Sequence, residues 1–239
     1  MSTFFDALES TTHSLPLAGF ATFRAKLPMP RPLVIAYHLI WTGYGWWLPN
    51  DPRGSMSKRV ATDVIAELGE LHYGRKEVQP TSTELRAFRN RARNVLDHPL
   101  RKFTREDTDI IAEAFNEVIN EHKYTCYACA IMPDHIHLLI RKHKHKAEEM
   151  IANFQDKSRS RLRNHWPDDH PIWGGPGWKV FLDHPDAIRR TITYIQRNPI
   201  EWKLPQQSFD FVTKYGGWPL HPGHNPNSPY AKRLREAEK

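Results

Sequence analysis

The distribution of apolar residues along the chain predicts four strands. Residues 33–42 (LVIAYHLIWT) are rich in β-branched and aromatic side chains and have the length of a strand. Two similar runs, 124–132 (YTCYACAIM) and 135–142 (HIHLLIRK), are separated only by a Pro-Asp dipeptide. Because proline and aspartate favour turns, these two runs are expected to form a tight antiparallel hairpin. Residues 178–184 (WKVFLDH) predict a short fourth strand.

Apolar residues at helical spacing predict the helices. After a loop rich in turn-forming residues, two helical stretches are expected, and the apolar face of the second consists of Leu85, Phe88, Ala92, Val95 and Leu96. The next helix has its apolar face at Ile110, Ile111, Ala114, Phe115, Val118 and Ile119. The helix after the hairpin has its face at Ala147, Met150, Ile151, Phe154, Ser158 and Leu162.

Capping residues and prolines predict where two of these helices begin and end. Thr104, with Asp107 three positions later, is typical of a capping box at a helix start. Pro185 suits the first turn of the last helix, because the N–H that proline lacks has no partner there. Pro199 is expected to end that helix.

The order of these elements predicts an α+β fold. Without the insert after the first strand it reads βαββαβ, which is the ferredoxin-like, split βαβ arrangement with an antiparallel sheet, and one further helix follows. We expect an N-terminal arm at 1–32, a main domain at 33–202 with a loop and helical insert at 43–103, and a Pro-rich, basic C-terminal tail at 203–239.

Charge and aromatic content favour nucleic acid as a partner. The formal net charge is +7, from 34 Lys and Arg against 27 Asp and Glu, and 11% of residues are aromatic. Phosphates attract the cations, and unpaired bases stack on aromatic rings. The candidate DNA-binding residues are Arg86, Arg89, Arg93, Lys142, Lys144, Lys146, Arg159, Arg163, Trp46 and Trp47. Ordinary solvated helix faces and packed tryptophans are the alternative for these positions.

Several classes of protein are disfavoured by the sequence. It has neither an apolar run of membrane-spanning length nor the pattern of a signal peptide, so we expect a cytoplasmic, nucleoid-associated protein with no membrane partner. Cys126 and Cys129, the only cysteines, lie in a strand-like run and have no second cysteine pair to complete a metal site. They are interpreted as structural thiols.

The strand beginning at His135 carries the first candidate chemistry. A period of two places His135 and His137 on one face, and Ile136 with the apolar residues after it on the other. Neutral imidazole is a common ligand of divalent metals, and two on a strand fix part of a coordination shell. By itself, a His-x-His pair is more often packed or solvated. His38, on the first strand, is either a further ligand or a packed histidine.

Two motifs resemble one family. MPDHIHLLI at 132–140 resembles the His-hydrophobic-His (HUH) strand of the REP-associated tyrosine transposases and the wider single-tyrosine insertion-sequence transposases. TYIQRNP at 193–199 resembles the family's tyrosine helix, which commonly reads Tyr-Ile-x-x-Asn-Pro. The resemblance extends from the YHLIWTGYG strand through Asn198, and YGWWLPNDPRGS at 44–55 is similar to a loop in one branch. The insert is longer than in compact members.

The resemblance implies an HUH endonuclease fold with an added tyrosine helix, and a role for each motif residue. Tyr194 would be the nucleophile, and His135, His137 and Asn198 would hold Mg²⁺ or Mn²⁺, although imidazoles also suit Zn²⁺. Positions four apart share a helix face, which agrees with the pairing of Tyr194 and Asn198. Because Asn198 precedes a proline, its direction is open, and Gln196 is the fallback ligand.

The resemblance further implies cleavage and rejoining of single-stranded or stem-loop DNA through a 5′-phosphotyrosine link. Two alternatives remain open. One is a non-catalytic DNA-hairpin or RNA binder on the same scaffold, and the other is a metal-dependent hydrolase whose tyrosine only assists water. The sequence also leaves open whether the protein is a homodimer or a monomer.

Overall fold

The computed structural model of the chain describes residues 33–58, 63–166 and 169–218, together with residues 232, 233 and 236. The chain divides into two units, Met1–Pro32 and Leu33–Lys239, and the fold below is that of the second. The predicted N-terminal arm and most of the predicted tail beyond residue 218 lie outside the described residues.

In chain order the elements are β1 (Ala36–Thr42), β2 (Gly54–Ser55), α1 (Asp63–Ala66), β3 (Gly74–Arg75), α2 (Ser82–Val95), α3 (Arg105–His122), β4 (Cys126–Ile131), β5 (His135–Arg141), α4 (Ala147–His165), β6 (Trp178–Leu182) and α5 (Pro185–Glu201). The main sheet has the strand order β4-β5-β1-β6. Every neighbouring pair in it is antiparallel. This is the strand order of a split βαβ unit, so the predicted ferredoxin-like fold is confirmed.

The two faces of the sheet are covered by different helices. Apolar residues of β1 and β5, such as Trp41 and Ile136, pack with Phe115 of α3 and Phe154 of α4 in the larger core. Leu139, on the opposite face of β5, packs in a second core with apolar residues of α5. Since His135 and His137 alternate with Ile136 along β5, they belong to the α5 face. The last helix and the two histidines therefore share one side of the sheet.

The β4–β5 hairpin agrees with the sequence prediction and also explains the cysteines. The N–H of Met132 donates to the carbonyl oxygen of His135 over 2.8 Å and closes the turn. The register of β4 shifts between Cys126 and Ala128. Three positions apart on a regular strand, Cys126 and Cys129 would face opposite sides. The irregularity lets both enter the larger core, where they are buried free thiols, as predicted.

The predicted capping box begins α3. The N–H of Thr104 donates to Asp107 Oδ2 over 2.8 Å, and the N–H of Asp107 donates to Thr104 Oγ1 over 3.2 Å. The apolar positions of α3 and α4 pack between the helices and the sheet as their spacing predicted.

The insert has a small core of its own. Of the two predicted helical stretches, the first is a single turn, α1, and the second is the longer α2. Phe88 and Ala92 of α2 pack with Leu48 of the preceding loop. In the same loop, Asp51 and Arg53 form a buried ion pair at 2.7 Å. The insert helix is thereby held against the loop that follows β1.

The predicted end of the last helix is wrong. Helix α5 continues through Pro199 and ends at Glu201. A proline so close to the helix end removes one backbone donor, while the following residues still bond backwards. The N–H of Trp202 donates to the Asn198 carbonyl oxygen over 3.2 Å, and that of Leu204 donates to the Pro199 carbonyl oxygen over 2.8 Å. Asn198 therefore lies inside a formed helical turn.

The described start of the C-terminal tail lies along the edge of the sheet. Gln207 accepts from the N–H of Ile131 over 2.9 Å and donates to its carbonyl oxygen over 2.7 Å. The N–H of Thr213 donates to the Cys126 carbonyl oxygen over 2.7 Å. These bonds use the backbone groups that an edge strand such as β4 would otherwise expose. None of the helices in the described ranges combines the length and apolarity needed to cross a bilayer.

Candidate metal and tyrosine site

Strand β5 presents His135 and His137 side by side. Their ring centroids are 4.9 Å apart, and the rings are nearly perpendicular at 89°. Only 4% of His135 and 0% of His137 is exposed. Thr42 and Ile40 of β1 are their direct neighbours across the sheet, so β1 forms one wall beside them. The rigid strand fixes the spacing of the two imidazoles before any ligand binds.

Each imidazole is held through its Nδ1 atom. Asp134 Oδ1 lies 2.5 Å from Nδ1 of His135. His38 Nε2 lies 2.9 Å from Nδ1 of His137. Metal-binding histidines usually have such a partner on the nitrogen that does not face the metal, because the partner fixes the tautomer and the ring direction. Both rings thus have the support that coordination through Nε2 requires.

Burial keeps His137 and His38 neutral. It lowers the pKa of His137 well below its ordinary value, and repulsion from His135 and His38 lowers it further. Burial alone lowers the pKa of His38 to about 3. A histidine must be neutral to bind a metal, so the environment favours the state that coordination needs.

Helix α5 brings Tyr194 over these histidines. Its ring centroid lies 5.5 Å from that of His137 and 6.1 Å from that of His38. Burial raises the pKa of the Tyr194 phenol, a hydrogen bond with the Asn198 side chain lowers it, and the negative charge of Glu201 raises it; the net shift is upward. The phenol is therefore protonated at neutral pH and has to lose its proton before it can act as a nucleophile.

Asn198 and Gln196 have different environments on α5. Asn198 is 4% exposed, and its Nδ2 donates to the Tyr194 carbonyl oxygen over 3.0 Å. Gln196 is exposed to solvent. The helical turn that contains Tyr194 therefore also directs Asn198, and not Gln196, towards the sheet.

The side chains at this site fit a divalent cation that accepts both nitrogen and oxygen ligands. Two imidazoles and one carboxamide oxygen supply nitrogen and oxygen donors, which suit several divalent metals. Within the described ranges, no group of three or more His, Cys, Asp or Glu side chains is arranged to hold a metal ion. A site here would accordingly depend on the carboxamide of Asn198 as its third protein ligand.

Part of the insert lies close enough to act on Asp134. Arg89 of α2 has its pKa lowered by burial and by the charge of Arg53, while Asp51 and Asp134 oppose that shift. Its Nε is buried and has no hydrogen-bond partner in the described part of the chain. The insert thus supplies a cation on the Asp134 side of the histidine pair.

The two candidate tryptophans of the loop differ in role. The Arg53 guanidinium lies 3.8 Å from the centroid of the Trp47 ring. That ring is 6.4 Å from the ring of Trp178, which lies on β6 on the same face of the sheet as His135 and His137. Trp46 donates its indole N–H to the Arg101 carbonyl oxygen over 2.6 Å and packs within the insert. Trp47 is therefore the better placed of the two for a ligand at the sheet.

The other candidate DNA-binding residues do not converge on the histidines. Arg86 and Arg93 are exposed on α2. Lys142, Lys144 and Lys146 follow the opposite end of β5 from His135. Arg159 and Arg163 lie on α4, which covers the other face of the sheet, and Arg159 forms an ion pair with Asp156 at 2.5 Å. Any DNA contact by these last five residues would be remote from the histidine pair.

Sequence reasoning did not identify three residues near the site as functional. The sequence patterns place Asp134 in the hairpin turn and in the MPDHIHLLI motif without a role of its own, Arg53 in the loop, and Trp202 in no motif. The position of Asp134 directly before the first histidine was an available signal. Trp202, whose ring lies 5.8 Å from that of His135, gave none, because the predicted helix ended before it.

Comparison with known proteins gave one family match, in the middle of the chain, and similar solved structures that cover more of it. Residues 97–181 match the family model described as Transposase IS200 like. No curated protein matches the chain at a significant level. A solved REP-associated tyrosine transposase bound to a REP hairpin is similar over 77% of this chain and 74% of that one, with 9% identity and a TM-score of 0.37.

A second solved structure, of a candidate transposase from Deinococcus radiodurans R1, is similar over 74% of this chain and 97% of that one, with 12% identity and a TM-score of 0.33. The family match includes His135 and His137, whereas Tyr194 and Asn198 follow it in the sequence. The segment that carries the histidine pair is thus the part of the chain that is similar to the IS200-like transposase family.

Proposed function

We propose that this protein is a transposase that cleaves and rejoins single-stranded DNA, with Tyr194 as the nucleophile and a divalent metal held by His135, His137 and Asn198. One observation carries the proposal. The Tyr194 ring lies 5.5 Å from that of His137, on the same face of the sheet, although the two residues belong to distant elements of the chain. The phenol and the two imidazoles lie on one face of the sheet, and buried Asn198 lies one helical turn after Tyr194. These are the kinds of groups that a tyrosine nuclease needs.

The proposed reaction breaks a phosphodiester bond in the DNA and attaches the 5′ phosphate to the protein. The Tyr194 oxygen attacks the phosphorus, a P–O bond to tyrosine forms, and the bond to the 3′ oxygen breaks. The phenol loses its proton, and the leaving oxygen gains one to become a 3′-hydroxyl. The 5′ phosphate remains on Tyr194, so rejoining by the reverse step needs no nucleotide triphosphate. Helix α5 contributes by fixing the phenol in position before DNA binds.

The site residues would hold Mg²⁺ or Mn²⁺ through the Nε2 atoms of His135 and His137 and the carboxamide oxygen of Asn198. When bound, such an ion supplies polarisation of the scissile phosphate and neutralises charge on the leaving oxygen. His38 and Asp134 would keep the two imidazoles in the required tautomer and direction. Because burial keeps His137 neutral near neutral pH, its Nε2 lone pair would be available to the metal and not occupied by a proton.

We infer that single-stranded or hairpin DNA is the substrate. The chain has a net charge of +7, and Arg89 lies close enough to Asp134 for the two charges to interact. Phosphate contacts by such arginines would position the strand without reading its sequence.

A covalent-adduct assay tests the nucleophile. Labelled hairpin-flanked single strands of many sequences are incubated with the protein and Mn²⁺, and adducts are resolved on denaturing gels. Tyr194→Phe is expected to abolish the adduct. Tyr215→Phe, which removes another phenol on the same side of the sheet, is expected to retain it.

His137→Ala separates metal binding from DNA binding. It should abolish cleavage and leave hairpin affinity nearly unchanged, because the buried imidazole serves the metal. Cleavage that persists in Tyr194→Phe, with no DNA-derived mass on that tyrosine peptide in the wild type, would indicate a hydrolase. Hairpin binding without adduct for any sequence would indicate a non-catalytic binder.

A further inference from the structure

Trp202 is an exposed aromatic residue beside the candidate site. Its side chain is 47% exposed, and its ring centroid lies 5.8 Å from that of His135 at an interplanar angle of 66°. It belongs to neither of the two hydrophobic clusters that pack on the sheet. A large indole left half in water next to a histidine pair has apolar area available for a ligand.

The backbone holds Trp202 in place. Its N–H donates to the Asn198 carbonyl oxygen over 3.2 Å, and the N–H of Lys203 donates to the Ile200 carbonyl oxygen over 2.9 Å. Lys203 adopts a left-handed conformation with φ of 59°, which ends the helix sharply. The same turn that carries Asn198 thus fixes the backbone from which the Trp202 side chain extends.

The surroundings of Trp202 match the chemistry of a nucleotide. Exposed Lys203, the next residue in the chain, adds a cation to this helix end, and the His135 ring lies 5.8 Å from the indole. A base is joined to its phosphate by a single sugar. If a phosphate binds at His135 and His137, the base of an adjoining nucleotide therefore lies within reach of an aromatic ring beside His135.

We propose that Trp202 forms a subsite for one unpaired nucleobase next to the scissile phosphate. This inference rests on the proposed function and adds how the substrate is positioned. Stacking of the base on the indole, with the phosphate near the histidines, holds the strand at two points on either side of one sugar. Because every base has a π-face, the subsite tolerates all bases and requires that the nucleotide be unpaired.

Binding without metal tests the subsite separately from cleavage. Fluorescence anisotropy in EDTA compares a 20-nucleotide dT strand with an abasic strand of the same length, which keeps the phosphates and lacks the bases. Trp202→Ala is expected to weaken dT binding about 5- to 100-fold and Trp202→Phe much less. Neither change should alter abasic-strand binding. Ile200→Ala, which removes another exposed apolar side chain from the same helix end, is the matched control and should bind both strands as the wild type does.

A photocrosslink adds a readout that does not need a variant. In strands that carry 5-iododeoxyuridine at one position, irradiation should attach the base to the peptide containing Trp202. Unchanged dT binding by Trp202→Ala, or an equal loss on the dT and abasic strands, would overturn the subsite. The two proposals can fail separately. If Trp202 binds a base but Tyr194 is not the nucleophile, no Tyr194 adduct forms, and Trp202→Ala still weakens dT binding without changing abasic-strand binding.

Discussion

Nε2 of His38 lies 2.9 Å from Nδ1 of His137, although the two residues are 99 positions apart in the sequence. The contact crosses from β1 to β5 on the face covered by α5, and both side chains are buried. A neutral imidazole has one donor and one acceptor nitrogen, so this contact selects a tautomer for each ring. Coordination of a metal through Nε2 of His137 requires that its Nδ1 carry the proton and donate it to His38.

His38 should accordingly control metal affinity. His38→Ala is expected to weaken Mn²⁺ binding about 10- to 100-fold in calorimetric titrations without DNA. His38→Gln should recover part of the loss, since its side-chain oxygen can accept the Nδ1 proton of His137. Circular dichroism melting confirms that each variant is folded. Equal Mn²⁺ affinity in the wild type and a folded His38→Ala would contradict the role.

The two amide side chains of α5 should differ in their effect. Asn198→Ala is expected to lower Mn²⁺ affinity and abolish the covalent adduct, because it removes the proposed oxygen ligand. Gln196→Ala is the matched control, two residues away and exposed, and should retain both properties. The reverse result would assign the metal ligand to Gln196.

Arg89 of the insert and Arg163 of α4 should contribute differently to DNA binding. Arg89, which interacts with Asp134 and has a buried Nε, is expected to contact phosphate near the site. Arg89→Ala should weaken single-strand binding at every sequence and reduce the slope of log affinity against log salt by about 1. Arg163→Ala on α4 should change neither. A larger loss for Arg163→Ala would move the DNA path to the other face.

The buried cysteines should be unreactive in the folded protein. Burial raises the pKa of the Cys126 thiol to about 12 and that of Cys129 well above its ordinary value. At pH 8, a colorimetric disulfide reagent should label neither until denaturant is added, because the thiolate is the reacting form. Rapid labelling of the native protein would show that β4 is not packed as described.

The same thiols give a pH dependence of stability. Their folded pKa values are raised, so their contribution is complete below about pH 8.5, the unfolded pKa, and is lost as the pH rises above it. Each thiol contributes a slope of about 1.4 kcal/mol per pH unit to this loss. Urea unfolding at pH 8 and pH 10 should therefore show a smaller loss for Cys126→Ala than for the wild type.

Local patterns predicted most of the scaffold. Period-two alternation identified the faces of β5, helical spacing identified the buried sides of α3 and α4, and the Thr104–Asp107 pair marked the start of α3. These features depend on neighbours within a few residues, so they are legible in one sequence. The end of α5 was missed because the rule that proline ends a helix holds less strongly in a last turn, where few bonds are lost.

By itself, the sequence determined that two histidines share one face of a strand and that Tyr194 and Asn198 share one side of a helix. Only the tertiary structure decided which face of the sheet that helix covers. It also decided that His38, Asp134 and Trp202 surround the histidine pair. The physical reason is that strand order and helix packing depend on how apolar surfaces distant in sequence are buried together, and no local periodicity encodes that choice.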